Sequence, residues 1–247
     1  MGSVNPEAYP DLRFILVDNE FPKISCGIGF VQADGARLPF RDRAFDAVIV
    51  NHCLEHVADL PSALHEIGRV LQQNGSLYAS VPDASTFTDR IYRWIFHGGG
   101  HINAFRNPHE IESQIAASTA LRPVARRVLY TSLIYLGRHN FAGRPPRKVW
   151  LFGNGHLRFV ACLTYALRLL DRAFGARTSV YGWAFYFGDI REEIATVPWT
   201  NVCVRCGTGH SSASLIANQR VQRAILTPPS YDCPVCSTWN LFTIDPL

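Results

Sequence analysis

Charge is scarce in this 247-residue chain. Asp, Glu, Lys and Arg together make up 18% of it, against about 25% in an average soluble domain. Hydrophobic residues reach 47%, enough for a substantial core, so disorder over most of the chain is excluded. No run of about 18 uncharged apolar residues occurs, which argues against a membrane-spanning helix. Met1 to Arg13 is polar and Pro-punctuated, without the apolar stretch of a secretory leader, and a reducing cytoplasm is the expected setting. Internal repeats and low-complexity segments are absent. Acidic residues are nearly missing from 121–180, where eleven Arg/Lys face a single Asp171. This stretch reads either as a solvated basic face or as a surface for something anionic: a membrane surface, a phosphate-bearing substrate or nucleic acid.

What is present reads as one ordinary domain with a small appendage. Arg13–Asp18 and Phe30–Asp34 are short apolar runs ending in an acidic residue, and both are expected to be strands. Phe45–Asn51 is a near-continuous apolar run of the kind that is buried on both faces in a parallel sheet. Asp59–Gln73 repeats Leu60, Leu64, Ile67, Val70 and Leu71 at helical spacing. Asp59 is its expected N-cap, Pro61 lies in its first turn, and Asn74-Gly75 should end it. Ser76–Val81 is the next strand, completing a strand–helix–strand unit with a right-handed crossover. Further helices are expected over Phe87–Phe96, Asn107–Ser118 and His156–Phe174, and strands over Pro123–Tyr130 and Val180–Phe187. The last of these helices carries Arg158, Ala161, Tyr165, Arg168 and Arg172 along one face. Packing against the domain is its commoner explanation; shallow membrane association is the alternative.

Residues 30–83 read FVQADGARLPFRDRAFDAVIVNHCLEHVADLPSALHEIGRVLQQNGSLYASVPD. A strand ending Ala-Asp, a Leu-Pro-Phe loop, a Phe-Asp-x-Val strand, a Leu-Glu-His turn, an Arg-Val-Leu helix end and a strand ending Val-Pro follow one another in order. This resembles the class I S-adenosylmethionine-dependent methyltransferases of the type 11 kind. The resemblance implies an α/β, Rossmann-like sheet with helices on both faces, over residues 1–195, and S-adenosylmethionine as cofactor. It also implies roles at the carboxyl ends of the strands, where open α/β sheets bind ligands. Asp18 would hold the ribose hydroxyls. Asp34, with the backbone of Gly35 and Ala36, would receive the adenine, and Asn51 would line the methionine part. Each has a plainer reading as well, Asp34 as the cap of its own turn. Glu55 and His56 match the family's Glu-His pair and are expected to pack or to support rather than to catalyse.

The Gly-rich loop that should follow a strand ahead of Asp18 is missing. Only Gly lets a backbone approach the methionine part so closely, yet just twelve residues precede Arg13. The Gly-x-Gly of Ser25–Gly29 leads into a strand, the wrong context for such a loop. Three readings follow: a fragment of a longer product, a binding or scaffold protein that has lost its cofactor site, or a fold completed by a partner chain.

Downstream, His97-Gly-Gly-Gly-His101 lies where the family closes over its substrate. A histidine titrates near neutrality and suits a general base that removes a proton from a hydroxyl or amine acceptor. His101, His97 and Asp83 are the candidate catalytic residues, against the plain reading of a surface loop. The acceptor implied by the resemblance is a small molecule or glycoconjugate, with RNA modification as a further alternative that the basic stretch allows.

Residues 196–247 form a separate module. Cys203, Cys206, Cys233 and Cys236 make C-x2-C-x26-C-x2-C, spacing that can close a tetrahedral structural zinc site of the ribbon type, with a disulfide or redox pair as the alternative. With all four ligands cysteine, no open position remains for catalysis. Nucleic-acid binding here is weakly supported, since the module holds three Arg and two Asp. Cys26, Cys53 and Cys162 stand apart and are expected to be small buried hydrophobes.

Overall fold

The computed structural model describes residues 11–20, 29–96, 100–141, 147–190 and 199–245. In chain order the elements are β1 (Ile15–Asp18), β2 (Gly29–Gln32), β3 (Phe45–Asn51), α1 (Leu60–Val70), β4 (Leu71–Pro82), α2 (Phe87–Ile95), α3 (Pro108–Thr119), β5 (Pro123–Tyr130), α4 (Leu157–Phe174) and β6 (Val180–Gly188). β7 (Asn201–Val202), β8 (Gly209–His210), α5 (Ser212–Ala217), β9 (Val221–Ala224), β10 (Thr227–Asp232) and β11 (Trp239–Leu241) complete the chain. The chain divides into two compact units: Met1–Val81 with His101–Arg126 and Ala184–Ile194, and Pro82–Gly100 with Arg127–Trp183 and Ala195–Leu247.

In the first unit β1 and β2 pair in parallel, from Ile15 beside Gly29 to Asp18 beside Gln32. A second sheet has the order β3-β4-β6-β5, of which the first unit holds β3, β4 as far as Val81, β5 as far as Arg126 and β6 from Ala184. Within it β3 and β4 run parallel, Ala47 beside Ser76 and Asn51 beside Ser80, and α1 makes the crossover between them. The α/β, Rossmann-like expectation therefore holds. The Asp59 carboxylate caps α1 by accepting from the Ser62 amide at 3.2 Å, and the helix buries Leu60, Ala63, Leu64, Ile67 and Val70. Glycine at 68 lets α1 and α3 touch closely: a Cβ there would stand 2.8 Å from Thr119 Cα.

Two local expectations are corrected. The helix stops at Val70 rather than Gln73, because Leu71 already pairs with Phe45. The register then shifts before Ala47 meets Ser76, so Gln72–Gly75 bulge inside the strand and do not cap the helix. β3 is not buried on both faces; Ile49 is 52% exposed. Among the described residues β3 is the end strand of its sheet, and no strand lies along its other side.

In the second unit α4 buries Val160, Ala161 and Leu167 in a cluster with Ile95, Leu133, Leu136 and Val204. The basic stretch is not wholly a solvated face. Arg168 is buried and donates from Nη2 to the Thr131 carbonyl at 3.2 Å, and burial lowers its pKa to about 10. Arg127 is buried too, its guanidinium 3.8 Å from the centre of the Trp199 ring. Cys53 and Cys162 are exposed, correcting the expectation of burial: Cys53 follows the end of an edge strand and Cys162 is off the buried stripe of α4. Cys26 and the boundary expected at 195/196 fall outside the described residues. No helix is long and apolar enough to cross a membrane, among the described residues.

Candidate active site and cysteine cluster

Parallel pairing carries the carboxyl ends of β1 and β2 side by side. The Ala33 amide donates to the Asp18 carbonyl at 3.0 Å, so the chain leaving β2 at Asp34 runs beside Asp18. Each carboxylate turns its own backbone. Asp18 Oδ1 accepts from the Glu20 amide at 3.1 Å, and Asp34 Oδ1 from the Ala36 amide at 3.0 Å. The Arg37 amide closes the same turn onto the Asp34 carbonyl at 2.9 Å. A Cβ at Gly35 would meet nothing within 4 Å, so the surface over this turn is open. At the end of β3, Asn51 Oδ1 accepts from the Ser80 hydroxyl at 2.7 Å. The next residue, His52, takes φ of 51°, and its amide donates to the Ser80 carbonyl at 3.1 Å. The structure thus brings Asp18 and Asp34 together on one strand pair and sets Asn51 at the end of the other sheet's edge strand.

Sequence reading missed the device that holds the loop after Asp34. The Leu38 amide donates to Glu66 Oε2 at 2.8 Å. Arg69 donates to the Leu38 carbonyl (3.0 Å), to the Phe40 carbonyl (2.8 Å) and to Asp42 Oδ1 (2.7 Å). It also pairs with Glu66 at 2.7 Å. The Arg69 guanidinium outweighs the cost of burial and holds the Glu66 carboxyl at about 2. The signal was legible: Glu66 and Arg69 are three apart on the polar side of α1.

The Leu-Glu-His turn, Leu54–His56, is a single 3-10 turn whose Leu54 and Glu55 are buried. It is tied to residues 101–103. The Ile102 and Asn103 amides both donate to the Glu55 carbonyl, at 2.7 and 3.0 Å. The Asn103 side-chain amide donates to the carbonyls of Leu54 (2.9 Å) and Val57 (2.7 Å). This clamp sets the His101 ring edge-on to the His56 ring, centroids 5.0 Å apart. His52 Nδ1 lies 3.7 Å from Glu55 Oε1. His97 lies outside the described residues. Asp83 belongs to the second unit, and its side chain is fully buried. One oxygen accepts from the Ser85 amide and hydroxyl at 2.9 and 2.5 Å, the other from Arg177 at 3.1 Å, an arrangement that shapes the entry to α2.

In the second unit the four module cysteines gather in one cluster. Two matching knuckles present them. The Gly207 amide donates to the Cys203 carbonyl at 3.0 Å, and the Ser237 amide to the Cys233 carbonyl at 2.8 Å. Thr208 and Thr238 hydroxyls lie 3.3 and 3.4 Å from Cys206 and Cys236 Sγ. Across the cluster, Cys203 and Cys236 sulfurs are 3.6 Å apart, and Cys206 and Cys233 sulfurs 3.7 Å. These are not disulfides, whose sulfurs sit at about 2.05 Å. Burial pushes the Cys203 and Cys233 thiols up. Burial raises Cys236 as well, but the Thr238 hydroxyl and amide overcome it and bring that thiol to about 7.

A family model described as a methyltransferase domain matches residues 13–79. The chain is 30% identical over 95 residues to the malonyl-[acyl-carrier protein] O-methyltransferase of Legionella pneumophila, covering 38% of this chain and 34% of that protein. It is 38% identical over 66 residues to the demethylmenaquinone methyltransferase of Mycobacterium sp. strain KMS, covering 27% of this chain and 28% of that one. The chain thus spans about a third of these curated relatives. Among solved structures, a SAM-dependent methyltransferase from Archaeoglobus fulgidus aligns over 70% of this chain and 75% of its own, with TM-score 0.44 and 15% identity.

Proposed function

We propose that this chain, whose residues 13–79 match the methyltransferase-domain model, is a class I S-adenosylmethionine-dependent methyltransferase that binds S-adenosylmethionine and transfers its methyl group to a small-molecule or glycoconjugate acceptor. The observation that carries the reading is the pairing of β1 with β2, which ends β1 at Asp18 and, two residues past the end of β2, brings the chain to Asp34 inside the matched segment. Bound there, the cofactor would supply an electrophilic sulfonium methyl. Asp34 would accept from the adenine amine above the open turn at Gly35 and Ala36. Asp18 would accept from the ribose hydroxyls, and Asn51 would face the methionine part. For a hydroxyl or amine acceptor, His101 would take the proton displaced as the new bond to the methyl carbon forms. The relatives named above act, by their names, on malonyl-[acyl-carrier protein] and on demethylmenaquinone; small-molecule acceptors are the reading this favours. Asp83 supports α2 and Arg177 in this account; it does not touch the reacting atoms.

The cysteine cluster is proposed as a structural zinc site. Four thiolates around one ion at about 2.3 Å stand about 3.8 Å apart, and the measured 3.6 and 3.7 Å fit that geometry. Cys203, Cys206, Cys233 and Cys236 would fill the coordination shell, and the ion would contribute folding energy to a module of short strands.

Equilibrium dialysis with S-adenosylhomocysteine tests the cofactor site. Asp34→Ala should weaken binding by about tenfold or more, since it removes a charged acceptor worth about 1.5–3 kcal/mol. Binding that is equal in wild type and in folded Asp18→Ala, Asp34→Ala and Asn51→Ala would contradict these assignments. Retention of the chain on RNA with steep salt dependence would favour the nucleic-acid alternative.

A further inference from the structure

We propose that Glu55, His56 and His101 form a site for a divalent first-row transition-metal ion, separate from the four-cysteine cluster. Three observations converge on it. One carboxylate oxygen and one ring nitrogen from each of these residues lie within 4.8 Å of one another. Glu55 is 1% exposed, and its Oε2 accepts no hydrogen bond among the described residues. Burying a carboxylate oxygen without a partner is costly, and a cation shared with two imidazoles removes that cost. The backbone holds the set together: the Leu54–His56 turn receives the amides of Ile102 and Asn103, and Asn103 grips the turn from both ends.

One carboxylate and two imidazoles suit ions such as Mn2+, Fe2+, Co2+ or Zn2+ better than Mg2+ or Ca2+, which prefer all-oxygen shells. Bonds of about 2.0–2.2 Å to a shared ion need the three ligand atoms to close by roughly an ångström. His56 is exposed, at the surface end of the set. With His56 exposed and His101 half-buried, coordination positions stay open to water or to an oxygen-bearing acceptor. His52, 3.7 Å from the second Glu55 oxygen, would orient the carboxylate. The site needs no S-adenosylmethionine, so its failure would leave the methyl-transfer reading standing and the failure of cofactor binding would leave the site standing; an ion bound here would occupy His101 and exclude it as the proton acceptor.

The test is titration with Mn2+ of the full chain carrying one equivalent of zinc, held by the four thiolates, with all further zinc removed, following the free-ion paramagnetic resonance signal. Zinc keeps the thiolates occupied, and Mn2+ competes poorly for sulfur. We expect one equivalent to be taken up, with affinity weakened about tenfold or more in both His56→Ala and His101→Ala. The exposed His65→Ala on α1 should match wild type. Each variant is first shown to melt as wild type does, and either histidine variant suffices for the comparison. No uptake below millimolar Mn2+, or equal uptake by wild type and a folded histidine variant, would overturn the proposal.

Discussion

Single side chains set the shape of the loop after Asp34, and the Glu66–Arg69 pair shows how. Its folded carboxyl sits at about 2 against an ordinary 4.5. The stability it contributes is therefore present above pH 4.5 and is lost as the pH falls from about 4.5 towards about 2. The melting temperature of wild type should drop more steeply across that window than that of Glu66→Gln; parallel curves would show that the pair holds nothing. Asn103 acts at the same scale. Asn103→Ala removes the side-chain donor shared by the Leu54 and Val57 carbonyls, leaving Leu54 only the Val57 amide, and should cost about 1–3 kcal/mol in urea unfolding. It should also weaken Mn2+ uptake, because the clamp positions His101 although Asn103 itself is no ligand.

At the scale of elements, close backbone approaches decide what the sheet and helices tolerate. Gly188 ends β6 with φ of 90°, and a Cβ there would run into the Gly75 carbonyl oxygen. Gly188→Ala should destabilise by more than about 2 kcal/mol; chemical denaturation giving less than half of that would mean β6 and the bulge at Gly75 adjust independently. The same bulge explains where sequence reading stopped. Helical spacing gave α1 and its Asp59 cap correctly, yet placed the helix end at Asn74-Gly75. Local propensity for a left-handed turn says nothing about the pairing of Leu71 with Phe45, which is a long-range contact. β3 shows the same limit: a run of Val and Ile marks a strand, but whether a neighbour covers its outer edge is a property of the whole sheet. The Leu-Glu-His turn was visible in sequence, and its meeting with His101 was not, because the link is made by backbone amides about 45 residues away.

Across the whole molecule, the features written in local patterns were the most legible. Asp18 at the end of β1, the Leu-Pro-Phe loop and the paired CxxC motifs all announce themselves by spacing, whereas β2 stops at Gln32, two residues short of the Asp34 that the apolar run suggested. The inward turn of Arg127 and Arg168 did not, since charge counts cannot tell an arginine stacked on Trp199 from one in solvent. The zinc proposal has a molecule-wide consequence. An ion present at a thousand times its dissociation constant adds about 4 kcal/mol to the folded state. Stripping it with a chelator should lower the melting temperature by about 8–16 °C in a chain of this size, with metal analysis showing one zinc lost per chain. An unchanged melt after complete removal would make the cluster four spectator thiols.

The central claim, that this chain holds the cofactor of a methyltransferase, is tested most directly by calorimetric titration of the zinc-loaded protein with S-adenosylhomocysteine. The account predicts one site of micromolar affinity that is lost in Asp34→Ala. A well-folded protein that takes up no S-adenosylhomocysteine would contradict it, and would leave a chain that keeps the methyltransferase strands for binding rather than for chemistry.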